Sequence, residues 1–82
     1  MPTLLRHGRL RIAIFPNDHR PAHVHAIGTD GEAVFNLNCP AGPCKLRENY
    51  GAKGRMLNVM ERLINGHINK LCRAWEEIHG VA

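Results

Sequence analysis

The sequence predicts an α+β fold: an antiparallel three- to four-stranded sheet with two C-terminal helical segments packed on one face. Three observations carry this. Apolar and polar residues alternate through residues 9–15. Asp30-Gly31, a strong hairpin signal, separates two further extended runs. From Ala52 onward the apolar spacing changes from two to three and four.

Composition sets the frame for these elements. The 82 residues suit one domain, 1–82, and 44% hydrophobic with 22% charged residues is a globular balance. A net charge of +4 is a mild excess that permits an anionic partner without demanding one. No stretch approaches the roughly 20 apolar residues of a membrane span. The three cysteines, Cys39, Cys44 and Cys72, are an odd number, and the first residues hold no apolar run of signal-peptide length. Reduced thiols in a cytoplasmic protein are therefore expected.

In residues 9–15, Leu10, Ile12 and Ile14 face one way, and Arg9, Arg11, Ala13 and Phe15 the other. That is a half-buried strand. Pro16 and the following Asn17, Asp18, His19, Arg20 and Pro21 stop it with turn chemistry. A second strand is expected over residues 22–27 and a third over residues 32–38. A two-residue turn at Asp30-Gly31 would set Ile27 opposite Val34, His25 opposite Asn36 and His23 opposite Asn38. A four-residue loop would shift these pairs by two and keep the same residues on each face. The first strand joins by pairing Ile14 with Val24 and Ile12 with Ala26, which brings Phe15 beside His23 and Ala13 beside His25. One face is then apolar. The other carries His23, His25, Asn36 and Asn38, with Arg11 at its far end.

Residues 39–44 hold two prolines and a glycine and form a loop, and residues 45–50 suit a short fourth strand or extended edge. Leu57, Met60, Ile64, Ile68, Leu71, Trp75 and Ile78 then recur at helical spacing. One unbroken helix of 26 residues would be about 39 Å long, too long for strands of seven residues. Two segments, about 53–65 and 67–79, bent at Gly66, resolve the mismatch. His79-Gly80 supplies the C-terminal stop.

Residues 17–25, Asn-Asp-His-Arg-Pro-Ala-His-Val-His, are the chemically densest stretch. Together with Gly31-Glu32-Ala33-Val34-Phe35-Asn36-Leu37 and Trp75-Glu76-Glu77-Ile78-His79-Gly80, they resemble the bacterial domain-of-unknown-function family 4160. The likeness covers nearly the whole chain. Its central motif is an acidic residue and His, a proline pair, and His-x-His entering a hairpin. Here Ala22 replaces the second proline, and Val24 stands where an aromatic is common. The resemblance implies a partner protein encoded nearby, in a toxin–antitoxin-like pair, and brings no established catalytic residue.

Two function classes follow. The first is a binding module whose face of Arg11, Asp18, His19, Arg20, His23, His25, Asn36 and Asn38 docks a protein or nucleic acid. The second is a metal-dependent or acid–base enzyme of hydrolase or nuclease type. In it His19, His23 and His25 hold a divalent ion such as zinc, with Asp18 the alternative third ligand. His23 and His25, two apart on one strand, share a side at roughly 6–7 Å. The competing account of these residues is a polar sheet face hydrogen-bonded to Asn36, Asn38 or the loop. Cys39 and Cys44 are expected as small buried or loop thiols, and Cys72 and Trp75 as helix core. Serine nucleophiles are excluded, because the chain has no serine. The helix charges alternate in sign, as on a solvated surface, and no nucleic-acid-binding motif is present. An exposed sheet edge leaves a homodimer open.

Overall fold

A computed structural model describes residues 3–29 and 31–80. Five strands run β1 (Thr3–His7), β2 (Leu10–Ala13), β3 (His23–Ile27), β4 (Glu32–Asn36) and β5 (Lys45–Tyr50). Helices α1 (Gly54–Gly66) and α2 (Ile68–His79) follow. The sheet is antiparallel in chain order, β1-β2-β3-β4-β5.

Five strands replace the expected three or four. The additional one is β1, whose adjacent Leu4 and Leu5 break any period-two pattern. A register shift between Thr3 and Leu5 accounts for this: Thr3 lies opposite Ala13, but Leu5 opposite Ile12. Both leucines then pack against the core, as a bulge permits. Gly8 turns the chain into β2 with φ +62°, a conformation glycine adopts without steric cost. β5 is also irregular, shifting register between Val34 and Phe35 of its partner, and all six of its residues are exposed.

The expected register of β2 on β3 holds, with Ile12 opposite Ala26 and Ala13 opposite His25. The β3–β4 hairpin takes the four-residue alternative. Ile27 lies opposite Glu32, His25 opposite Val34 and His23 opposite Asn36. Gly28 N–H donates to Gly31 O at 2.9 Å across the loop. Asp30, half of the expected two-residue turn, lies outside the described residues. A Cβ on Gly31 would run into the backbone of Gly51 and Ala52, so the loop passes where only glycine fits. β4 ends at Asn36, not Asn38, because Asn38 has turned to φ +52°.

The two helices form with their break at His67, one residue past the expected bend. Met60 and Ile64 of α1 and Leu71 and Trp75 of α2 join Ile12, Ile14, Val24, Ala26, Phe35 and Leu37 in one buried cluster. The helices thus cover the apolar face. On the reverse face Ala13 and Val34 are also buried, outside that cluster.

The cysteines correct one expectation. Cys39 and Cys72 form a disulfide, with Cα atoms 5.8 Å apart, and only Cys44 is a free, buried thiol. The reason is tertiary. The turn at Asn38 carries Cys39 toward α2, across 33 residues of sequence that no local spacing reveals.

Candidate functional site

The site begins in the loop after β2. Asp18 N–H donates to Phe15 O at 3.0 Å, and Phe15 N–H donates to Asp18 Oδ2 at 3.1 Å. This tight turn, which Asp favours by bonding nearby backbone, folds the carboxylate back over β3. There it meets both imidazoles. His25 Nε2 lies 3.2 Å from each Asp18 oxygen, and His23 Nε2 lies 3.5 Å from Oδ2.

Each ring is held at its other nitrogen. His23 Nδ1–H donates to Pro21 O at 2.8 Å, since a carbonyl can only accept. His25 Nδ1 lies 3.4 Å from Glu32 Oε2. Both Nε2 atoms therefore turn toward one carboxylate. The ligand atoms of Asp18, His23 and His25 lie within 4.8 Å of one another. His23 is only 5% exposed.

Apolar and aromatic walls fix the rings. His25 sits opposite Ala13 and Val34, with the Phe15 ring edge-on at 4.4 Å between centroids. His23 lies 5.2 Å from Trp75, which in turn stacks on His79 at 3.9 Å. Burial favours the neutral Asp18 carboxyl. The Phe15 N–H and the bond and charge from His25, with the charge of His23, outweigh it and hold Asp18 below the usual carboxylate range.

The remaining candidates divide. His19 lines the same depression of about 260 Å3 as the cluster, beside Arg47 and Glu48. It is exposed and is not one of the three converging groups. Asn36 lies opposite His23, and its Oδ1 is buried without a partner. Asn38 is exposed and turned into its own loop, donating from Nδ2 to Pro43 O at 2.9 Å. Arg20 donates to Gly80 O at 3.1 Å and His79 O at 3.4 Å, closing the C-terminal end of α2, where a cation is favoured. Arg11 lies opposite Ile27, beyond His25 along the sheet. Cys44 is occupied elsewhere: its thiol donates to Glu61 O at 3.8 Å, and its N–H to Asn65 Oδ1 at 2.8 Å.

Glu32 and Trp75 are site residues that the sequence reading left out. Glu32 shares strand parity with Val34 and Asn36 for either loop, and the four-residue loop sets it opposite Ile27, next to His25 on the same face. Nothing local places Trp75 on His23. Phe15, expected beside His23, lies on His25.

Fold and site together define a small α+β domain: a five-stranded antiparallel sheet, helices on one face, and a His-His-Asp cluster on the other. The chain belongs to the family described as Domain of unknown function (DUF4160), which matches residues 10–76. No curated protein and no solved structure matches it. Among the described residues, no helix is long and apolar enough to cross a membrane.

Proposed function

We propose that this protein binds a divalent transition-metal ion through Asp18, His23 and His25. One observation carries the reading: both rings are anchored at Nδ1 and present Nε2 to the same carboxylate. With Nδ1 donating to Pro21 O, Nε2 is left facing the Asp18 carboxylate, where either a proton on the ring or a cation between the two groups makes the contact favourable. Metal-binding imidazoles characteristically hand their second nitrogen to a carbonyl or carboxylate, as His23 does to Pro21 O and His25 to Glu32 Oε2 here. Two imidazoles and a carboxylate with free positions suit zinc or iron(II). Such an ion would supply Lewis acidity or an activated water. His23, His25 and Asp18 would hold it, and His19 and Arg47 would face a bound anion from the depression. This favours the hydrolase-type alternative over nucleic-acid docking, because Glu32 and Glu48 surround the cluster with negative charge.

The test is metal binding by purified, metal-stripped protein. Calorimetry should find one zinc or cobalt(II) ion per chain, with the cobalt spectrum reporting nitrogen and oxygen ligands. The double variant His23→Ala, His25→Ala should lose it. No binding above background, with a melting temperature indifferent to chelator, would overturn the reading.

A docking function has its own support in the exposed β5 edge, which carries Leu46 and Tyr50 outward. A partner strand adding there would engage free backbone groups. In this reading the protein is one member of a cytoplasmic toxin–antitoxin-like pair. Co-expression with the neighbouring gene product should yield a complex that Leu46→Lys disrupts; absence of any complex counts against it.

A further inference from the structure

We propose that the Cys39–Cys72 disulfide is a thiol-exchange site that takes a small peptidic thiol of the glutathione class, joined transiently to Cys39. The inference does not rest on the metal reading, since it needs no ion.

Burial makes the disulfide asymmetric. Cys39 is exposed in the loop after β4, whereas Cys72 is 5% exposed within α2. Cys39 is therefore the more accessible end of the bond for an incoming thiolate. A groove of about 330 Å3 opens beside the bond, lined by Arg20, Asn38, Trp75 and Glu76 together with the two cysteines. It offers one cation, one carboxylate, an amide and an aromatic wall. That set complements a small zwitterion carrying carboxylates and an amine. A disulfide enclosed in the core would show neither the exposed Cys39 nor the groove beside it.

The chemistry balances with thiol as the only co-reactant. A thiolate attacks Cys39 Sγ, the S–S bond breaks, and its electron pair leaves on Cys72 Sγ, which takes a proton from water. A second thiolate then attacks the external sulfur of the mixed disulfide and Cys39 leaves as thiolate. Two small thiols become one small disulfide, and the protein disulfide becomes two thiols. The same steps in reverse close the bond.

The exchange also bears on the residues around His23. Cys72 lies one helical turn before Trp75, and Trp75 lies 5.2 Å from the His23 ring. Trp75 is the single tryptophan of the chain, so its emission reports this end of α2 without interference.

The experiment incubates the oxidised full-length protein with reduced glutathione under native conditions, following intact mass and tryptophan emission. One glutathionyl adduct should form and map to Cys39. Emission should rise in step with opening of the bond, because the neighbouring disulfide no longer quenches the indole. Cys72→Ala, treated with oxidised glutathione, should accumulate the Cys39 adduct, and Cys44→Ser should behave as the parent does. A thiol without carboxylates should react several-fold more slowly, each rate normalised to that of the urea-unfolded chain. An adduct that forms only after unfolding, or that maps to Cys72 or Cys44, overturns the proposal. Equal normalised rates for the two thiols overturn the recognition by the groove. The wild-type measurements stand whether or not the cysteine variants fold.

Discussion

Burial pushes Asp18 and Cys44 in the same direction, toward the protonated form, yet the two faces of the sheet leave them in opposite states. Cys44 belongs to the helix-covered cluster, and its thiol is pushed up to about 11 by desolvation and by the charge of Glu61. Asp18, on the reverse face, is held below its usual range despite desolvation, because an N–H and two imidazoles surround it. One face therefore stabilises by excluding charge. The other spends hydrogen-bond donors and imidazoles to retain it. Structural stability and chemical capacity are consequently separable in this protein, and substitutions on the two faces should have different signatures.

The largest expected effect is on the covered face. Phe35 is 1% exposed, and Phe35→Ala should cost about 3–5 kcal/mol in urea unfolding. His25→Ala, on the reverse face, should cost no more than about 1.5 kcal/mol, the ordinary range for a part-exposed polar group. Comparable losses for the two would break the comparison, because His25 would then be a core residue in energetic terms.

The same contrast explains what the sequence discloses. The apolar face is over-determined. Leu10, Ile12, Ile14, Val24, Ala26, Phe35 and Leu37 share one face, so a one-residue slip would expose many of them. The helical stripe from Leu57 to Ile78 is likewise repeated enough to survive the break at His67. The reverse face has no such redundancy. His23 and His25 were legible as a pair, and Asp18 as an alternative third ligand. The choice of Asp18 over His19 depends on an Asx-type turn closing onto Phe15. The partners Glu32 and Trp75 depend on a loop length and on how a distant helix ends. Arg20 and Asn38 illustrate the same limit, since one closes α2 and the other turns into its own loop. The disulfide was least legible, because the adjacency of Cys39 and Cys72 is created by packing alone.

A smaller effect would sharpen the assignment of the charged face. Glu32 touches His25 Nδ1 from outside the cluster and is itself 40% exposed at its side chain. Glu32→Gln keeps the shape and removes the charge. If the ion sits between Asp18, His23 and His25, zinc affinity should fall about 10–100-fold, the usual weight of an outer carboxylate on a metal-bound imidazole. The urea midpoint should move little, because a partly exposed pair contributes on the order of 1 kcal/mol or less. An unchanged affinity would mean that Glu32 does not orient the ring, and a large stability loss that the pair is structural.

A last effect, confined to alkaline pH, lies with Cys44 and follows from its displaced ionisation. In the unfolded chain this thiol loses its proton near its ordinary value of 9.0, and in the native state near about 11. Below pH 9 both states keep the proton, and stability does not depend on it. Between pH 9 and 11 the unfolded chain releases the proton while the native protein retains it. Linkage then makes stability fall as pH rises, and the fall ends once both states are ionised. Other groups also titrate in this range, so the measurement is a difference: urea midpoints of the parent minus those of Cys44→Ala, from pH 8 to 11. The difference should be flat to pH 9 and then decline to the parent's disadvantage. Native-state alkylation gives a second reading, with a rate that climbs only toward pH 11, since the thiolate is the reactive species. A thiolate forming in the native protein near pH 9 would show that the covered face tolerates charge, and the contrast between the two faces would fail at its most sensitive point.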